Sequence, residues 1–192
     1  MLYWAAEGRI PSISDERASA VTNRISKTSR LLSTCHLFCF CREVEYDELT
    51  KAFSVSRKTV RRDLCALQDA GVLRVRFDRT AGTVRRGALV PVSQTPRPIA
   101  MAEGAPGRRS LERLRRLCVF MYALQETERG DPVALYRTLF PDRTDRTRQR
   151  DFSELRVIGY LRYGAPTDDE PKYWSIEIPD TYGLDTIPEE MR

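Results

Sequence analysis

Four basic side chains fall within six residues, Arg57, Lys58, Arg61 and Arg62. Wound as a helix of about 3.6 residues per turn, this stretch puts Val60, Leu64 and Leu67 on an inner face, with Arg57, Lys58, Arg61 and Gln68 largely elsewhere. A guanidinium on such an outer face can pair with guanine through two hydrogen bonds. Arg62 is placed to reach a phosphate, and Thr59 with the backbone amides of the helix start can hold another. Ser56, just before the run, is a good N-cap. Arg76, Arg79, Arg85 and Arg86 follow at positions suited to lie along a nucleic-acid backbone or enter a minor groove. The competing reading of such a charge run is a solvated basic face.

The stretch that carries these residues occurs twice. Residues 59–75 read TVRRDLCALQDAGVLRV and residues 147–163 read TRQRDFSELRVIGYLRY, without a gap at an offset of 88. Thr59, Arg62, Asp63, Leu67, Gly71, Leu73 and Arg74 reappear as Thr147, Arg150, Asp151, Leu155, Gly159, Leu161 and Arg162. A repeat this long marks a duplicated structural unit. In the second copy Arg143, Arg146, Thr147, Arg148, Gln149 and Arg150 are available for a second nucleic-acid contact. Arg148 stands where Val60 stands, which weakens the inner face or shifts its register. Asp168, Asp169 and Glu170 in the second wing would repel phosphates. A surface for dimerisation or for a protein partner therefore competes with DNA contact here. About half of Tyr160, Tyr163, Tyr173 and Trp174 are expected in the core and the rest at an interface.

The surrounding elements follow from periodicity and punctuation. From Ser14 apolar residues at helical spacing run through Leu31, Leu32, Cys35, Phe38 and Cys39, ending near Cys41–Arg42. Tyr46–Phe53 is a short helix, Ser54–Ser56 a turn and 57–70 the third helix, stopped by Gly71. Val72–Phe77 and Thr83–Val92 are strands around a turn at Asp78–Gly82. The second unit begins at Ser110 or Leu111, with Asp131-Pro132 opening its second helix and Thr144 or Asp145 capping its third. Tyr160–Tyr163 and Tyr173–Ile178 are its strands.

The expected fold class is mainly α with small β wings (α+β), as two tandem winged helix-turn-helix domains. The boundaries are an N-terminal arm at 1–13, domain 1 at 14–92, a linker rich in Pro and Gly at 93–109, domain 2 at 110–178 and an acidic tail at 179–192. Charge follows this division. Residues 1–100 carry 17 Lys and Arg against 10 Asp and Glu, and residues 101–192 carry 15 against 17. Residues 56–86 alone hold nine basic and three acidic residues, so the electrostatic footprint lies in the first unit.

Cys35, His36, Cys39 and Cys41 invite a zinc reading, but a tetrahedral site takes paired ligands from two segments. Here they share one apolar helix from which Cys41 points away, and small buried residues are the expected role. No metal or other cofactor is expected. An odd count of five cysteines fits reduced thiols in the cytoplasm, near the nucleoid, better than a disulfide scaffold. No apolar run approaches the ~20 residues that cross a bilayer, and the N-terminus lacks a signal-peptide pattern. No nucleophilic triad, P-loop or dinucleotide fingerprint is present. His36 is the single histidine, so an enzyme is not expected.

SVSRKTVRRDLCALQDAGVL resembles the helix-turn-helix of DeoR-type bacterial regulators and the related winged-helix heads of WYL-domain regulators. Their pattern is Ser, two residues, Thr, two residues, Arg-Asp-Leu, then Leu and Gly at fixed spacing. Ser56, Thr59, Arg62, Asp63, Leu64, Leu67 and Gly71 match it. The resemblance covers roughly residues 28–90, and 111–178 more weakly. It implies that the helix at 57–70 reads the major groove of double-stranded DNA, as in a transcriptional regulator, most simply a repressor. Asp63 is expected to orient an arginine or cap a neighbour. Where DeoR-type and WYL regulators place a sensing domain, this sequence places a second winged helix, so no inducer is implied. A plasmid-type replication initiator and a tandem winged-helix assembly protein working through a separate protein partner remain as alternatives, and a homodimer is open.

Overall fold

The computed structural model describes residues 26–87, 99, 101–127, 130–165 and 171–178. The arm at 1–13, the helix start at Ser14, the end of the expected strand at 88–92, the linker residues 93–98 and 100, the expected second wing tip with Asp168, Asp169 and Glu170, and the tail at 179–192 lie outside these residues. The fold is mixed, with six helices and two small antiparallel sheets among the described residues.

Helix α1 spans Lys27–Phe40 and is capped by Ser26, whose hydroxyl accepts from the Ser29 amide at 3.0 Å. Strand β1 (Glu43–Glu45) leads into α2 (Tyr46–Ala52), and α3 covers Arg57–Asp69. Gly71 ends α3 with φ +72°, a conformation that costs a Cβ-bearing residue more. Strands β2 (Val75–Asp78) and β3 (Thr83–Arg86) form the wing. β1 adds to it in the order β1-β3-β2, pairing Val44 with Val84. This third strand has too few residues to show alternation, and Val44 alone of the three is buried.

The second unit repeats the three-helix order with α4 (Arg108–Thr127), α5 (Pro132–Leu139) and α6 (Asp145–Val157). α4 starts two residues inside the expected linker. Asp131 caps α5 through the Val133 amide at 2.8 Å, with Pro132 in its first turn. Thr144, not Asp145, caps α6. Strands β4 (Leu161–Gly164) and β5 (Tyr173–Ile176) form a two-stranded antiparallel sheet. Its core is aromatic: Phe120 stacks on Phe152 at 5.4 Å and meets Tyr136 edge-on at 5.1 Å, the arrangements aromatic quadrupoles favour. Of the four aromatics left between core and interface, Tyr160 is buried and Trp174 packs edge-on against Phe152, while Tyr163 and Tyr173 are exposed.

The two units share one buried cluster. α1 packs against both α4 and α6, and α4 packs against both α1 and α3. The contacts are therefore crossed: the first helix of each unit supports the third helix of the other. Polar groups seal the junction. Cys35 Sγ and Tyr122 Oη lie 2.8 Å apart, Gln125 donates to Tyr160 Oη at 2.6 Å, and His36 Nδ1 bonds the same hydroxyl. Arg115 donates to the Ala70 carbonyl at the end of α3 at 2.8 Å. A buried polar atom left without a partner costs about 1–3 kcal/mol, so these bonds fix how the units meet.

Candidate nucleic-acid interface

The first turn of α3 is organised by Ser56. Its hydroxyl accepts from the Thr59 amide at 3.2 Å and lies 3.1 Å from the Thr59 hydroxyl. Both Ser56 and Thr59 thus set the helix start. Val60, Asp63, Leu64 and Leu67 are buried on the inner face, and Arg57, Lys58, Arg61 and Arg62 are exposed on the outer one. The inner-face packing is what turns the basic residues outward.

Two of the four are held in place. The Arg61 guanidinium sits over the Phe77 ring, 5.8 Å from its centroid, and Phe77 in turn stacks on Tyr46 at 6.1 Å. Such a contact at an exposed site is worth about 0.5–1 kcal/mol, and it ties the outer face of α3 to the wing. Arg57 makes a forked pair with Asp47 on α2, with Nη2 2.7 Å from both carboxylate oxygens and Nε 2.9 Å from one. Both partners are exposed, at 64% and 54%, so the pair adds at most about 1 kcal/mol to stability. Asp47→Ala is accordingly expected to leave thermal stability nearly unchanged. It should also free Arg57 for a phosphate, steepening the slope of log affinity against log salt by about 0.9. Fluorescence anisotropy on a duplex across a salt series checks this.

The wing divides its arginines. Arg76 and Arg79 are exposed. Asp78 Oδ1 accepts from the Thr80 and Ala81 amides at 3.0 and 2.9 Å, which forms the turn and holds its carboxyl below the usual range. Arg85 is exposed and pairs with Glu43 across the β1–β3 ladder at 2.9 Å. Arg86 corrects the sequence expectation: its guanidinium turns inward and donates to the Phe38 and Cys39 carbonyls at 2.5 and 2.8 Å. Those carbonyls end α1 and have no partner within the helix, so Arg86 caps it and does not line the wing surface.

Asp63 has the role of orienting an arginine. It is 3% exposed and accepts from Arg30 Nε on α1 at 2.5 Å. The repeat counterpart Asp151 is 1% exposed and accepts from Arg116 on α4 at 2.6 and 3.2 Å and from the Tyr136 hydroxyl at 2.7 Å. Burial, then the Asp151 hydrogen bond, pushes the Tyr136 hydroxyl up from its ordinary value. The Arg-Asp dipeptide of each copy therefore faces two ways, with the aspartate locked to the unit's first helix and the arginine outside.

On α6, Arg146, Gln149 and Arg150 are exposed, as is Arg143 in the turn before it. Thr147 supports the cap, its amide donating to the Thr144 hydroxyl at 3.3 Å. Arg148 departs from the expectation of a DNA contact. Its side chain is 13% exposed and bends back to Asp145 at 2.8 Å. The register of the inner face is unshifted, since Phe152 and Leu155 stay buried. Arg148 takes the place that Val60 has in the first copy, and its Nη1 is buried there beside the Asp145 carboxylate.

The cysteine-rich end of α1 is core. Cys35 is buried, and Cys39 and Cys41 are half-buried. A hydrogen bond with Cys118, together with burial, raises the Cys35 thiol well above its ordinary value, and burial raises Cys39. Among the described residues no three His, Cys, Asp or Glu side chains are grouped to hold a metal ion, and no helix is long and apolar enough to cross a membrane.

Residues 41–82 match the family described as the DeoR-like helix-turn-helix domain. No curated protein and no solved structure matches the chain. The matched span runs from the end of α1 through α2 and α3 to the wing turn, and so contains Ser56, Thr59 and the exposed Arg57, Lys58, Arg61 and Arg62. Residues 41–82 of this chain thus form a DeoR-like helix-turn-helix domain, the kind of domain that binds DNA.

Proposed function

We propose that the protein is a sequence-specific regulator of transcription that reads the major groove of double-stranded DNA with α3. The observation that carries this is the outer face of α3. Lys58, Arg61 and Arg62 stand exposed on a helix whose start is capped, whose inner face is buried and whose family match is DNA-binding. Helices docked in this way contact base edges with their N-terminal turns, where these residues lie. Arg61 carries the donor fork that suits a guanine, Arg62 and the helix-start amides suit phosphates, and exposed Arg76 and Arg79 suit the backbone beside the wing. The chain acts by occupying its site in the cytoplasm, not by catalysis, and repression by obstruction is the simplest outcome. The second unit, with the same helix order and a two-stranded sheet, is read as a second winged helix in tandem.

Precipitation of the protein from its own cells, with sequencing of the attached DNA and of transcripts in a deletion strain, tests the proposal. A small set of promoter sites whose genes rise on deletion is expected. Enrichment at repeated origin sequences alone would favour a replication initiator. An even spread with unchanged transcripts would favour an assembly role through a protein partner.

A further inference from the structure

The repeat and the crossed packing together say more than the first unit alone. At the offset of 88, Arg146, Gln149 and Arg150 on α6 take the positions of Lys58, Arg61 and Arg62 on α3. All six side chains are exposed. Each helix is capped by a hydroxyl one residue before its first turn, Ser56 or Thr144, and each buries its aspartate.

The acidic groups of α6 are all engaged within the unit. Asp151 is held by Arg116 and Tyr136, Glu154 by Arg113 at 2.8 Å, and Asp145 by Arg148 at 2.8 Å. Among the described residues, Arg146 and Arg150 enter no ion pair. The outer face of α6 is left basic, with one amide at its centre. The shared core fixes α6 relative to α3, because α1 supports α6 and α4 supports α3.

We infer that α6 is a second duplex-reading helix, and that its half-site carries an A·T pair under Gln149 where the first half-site carries a G·C pair under Arg61. The base change follows from side-chain chemistry. An arginine fork donates twice and suits the N7 and O6 acceptors of guanine. A glutamine amide donates once and accepts once and suits the N7 acceptor and N6 donor of adenine. One chain would then present two non-identical reading heads and bind two half-sites without a second copy. This inference rests on the DNA-reading assignment of α3, and the test separates the two.

Duplexes bound by the wild type, by Gln149→Arg, by Arg61→Gln and by Arg61→Ala would be selected from a random library and sequenced, with thermal melting to establish that each variant is folded. The wild type is expected to enrich two half-sites, joined in one motif or as two motifs, with A favoured over G by about 5- to 150-fold at one position of the second. Gln149→Arg should turn that A to G and leave the first half-site alone, and Arg61→Gln should do the converse. A single half-site, lost in Arg61→Ala and unaltered by Gln149→Arg, overturns the inference and leaves the role of α3 standing. No enriched half-site with the wild type overturns both.

Discussion

Asp151→Ala is expected to destabilise the protein by about 3–5 kcal/mol, since removing one partner of a buried ion pair leaves the other uncompensated. Asp151 is 1% exposed and is the shared acceptor for Arg116 and the buried Tyr136 hydroxyl, with Arg113 a further 3.7 Å away. Arg116, 12% exposed, would be left with its charge in the core. Asp151→Asn keeps the shape and an acceptor for Tyr136, so its cost should be smaller. Urea unfolding measures the difference as a shift in midpoint. A loss below about 1 kcal/mol, the range of an exposed pair, would show that this carboxylate is not what holds α4 to α6. Asp63 with Arg30 is the counterpart in the first unit, and it has a simpler set of partners.

The second large effect is on binding. Arg61→Ala is expected to lower affinity for the preferred duplex by about 5- to 150-fold, corresponding to about 1–3 kcal/mol for a bidentate contact to guanine, and to relax preference at one base pair. The fold should survive. Arg61 is exposed, and its one described packing contact, over Phe77, is worth about 0.5–1 kcal/mol at such a site. Lys58→Ala or Arg62→Ala, if these residues hold phosphates, should instead weaken all duplexes alike and flatten the salt dependence. Anisotropy titrations with the preferred and a scrambled duplex separate the two patterns. An unchanged preference in Arg61→Ala would remove α3 as the reading helix.

Much of the first unit was legible because its signals are local. A Ser cap, an inner face at helical spacing and a Gly stop define α3 within a residue or two, and the exposed basic residues follow from where Val60, Leu64 and Leu67 point. Asp63 was legible too, since a carboxylate buried on the inner side of a helix must be neutralised by a cation from within the fold. β1 was not, because three residues carry no period and its pairing with β3 is set by a distant strand. Arg86 was misplaced for a related reason: charge alone does not reveal that the carbonyls of Phe38 and Cys39 lie within its reach. Arg148 looked like a surface cation, and only packing shows its Nη1 buried beside the Asp145 carboxylate.

The junction between the units was the least visible. α1 buries Ser29 and Thr34 beside Leu31, Leu32, Cys35, Leu37 and Phe38, so it is covered on more than one face. A sequence shows that such a helix is apolar but not that its second face meets α4. The Pro- and Gly-rich stretch reads as a linker and carries no sign of the contacts by which Tyr122, Gln125 and Tyr160 reach across to Cys35 and His36. The consequence is functional, because the two outer helices are carried by one core.

Sequence reading by this protein is tested most directly by the ratio of affinities for a duplex selected from a random library and a scrambled duplex of the same length, measured at about 0.15 M salt. Sequence-specific binders reach ratios of roughly 10³ or more. Reading by α3 and α6 predicts a ratio in that range, falling towards one when Arg61 and Gln149 are both replaced by alanine. A wild-type ratio near one, with affinity collapsing as salt rises, would reduce the basic face of α3 to non-specific phosphate contact and contradict the assignment of this protein as a reader of DNA sequence.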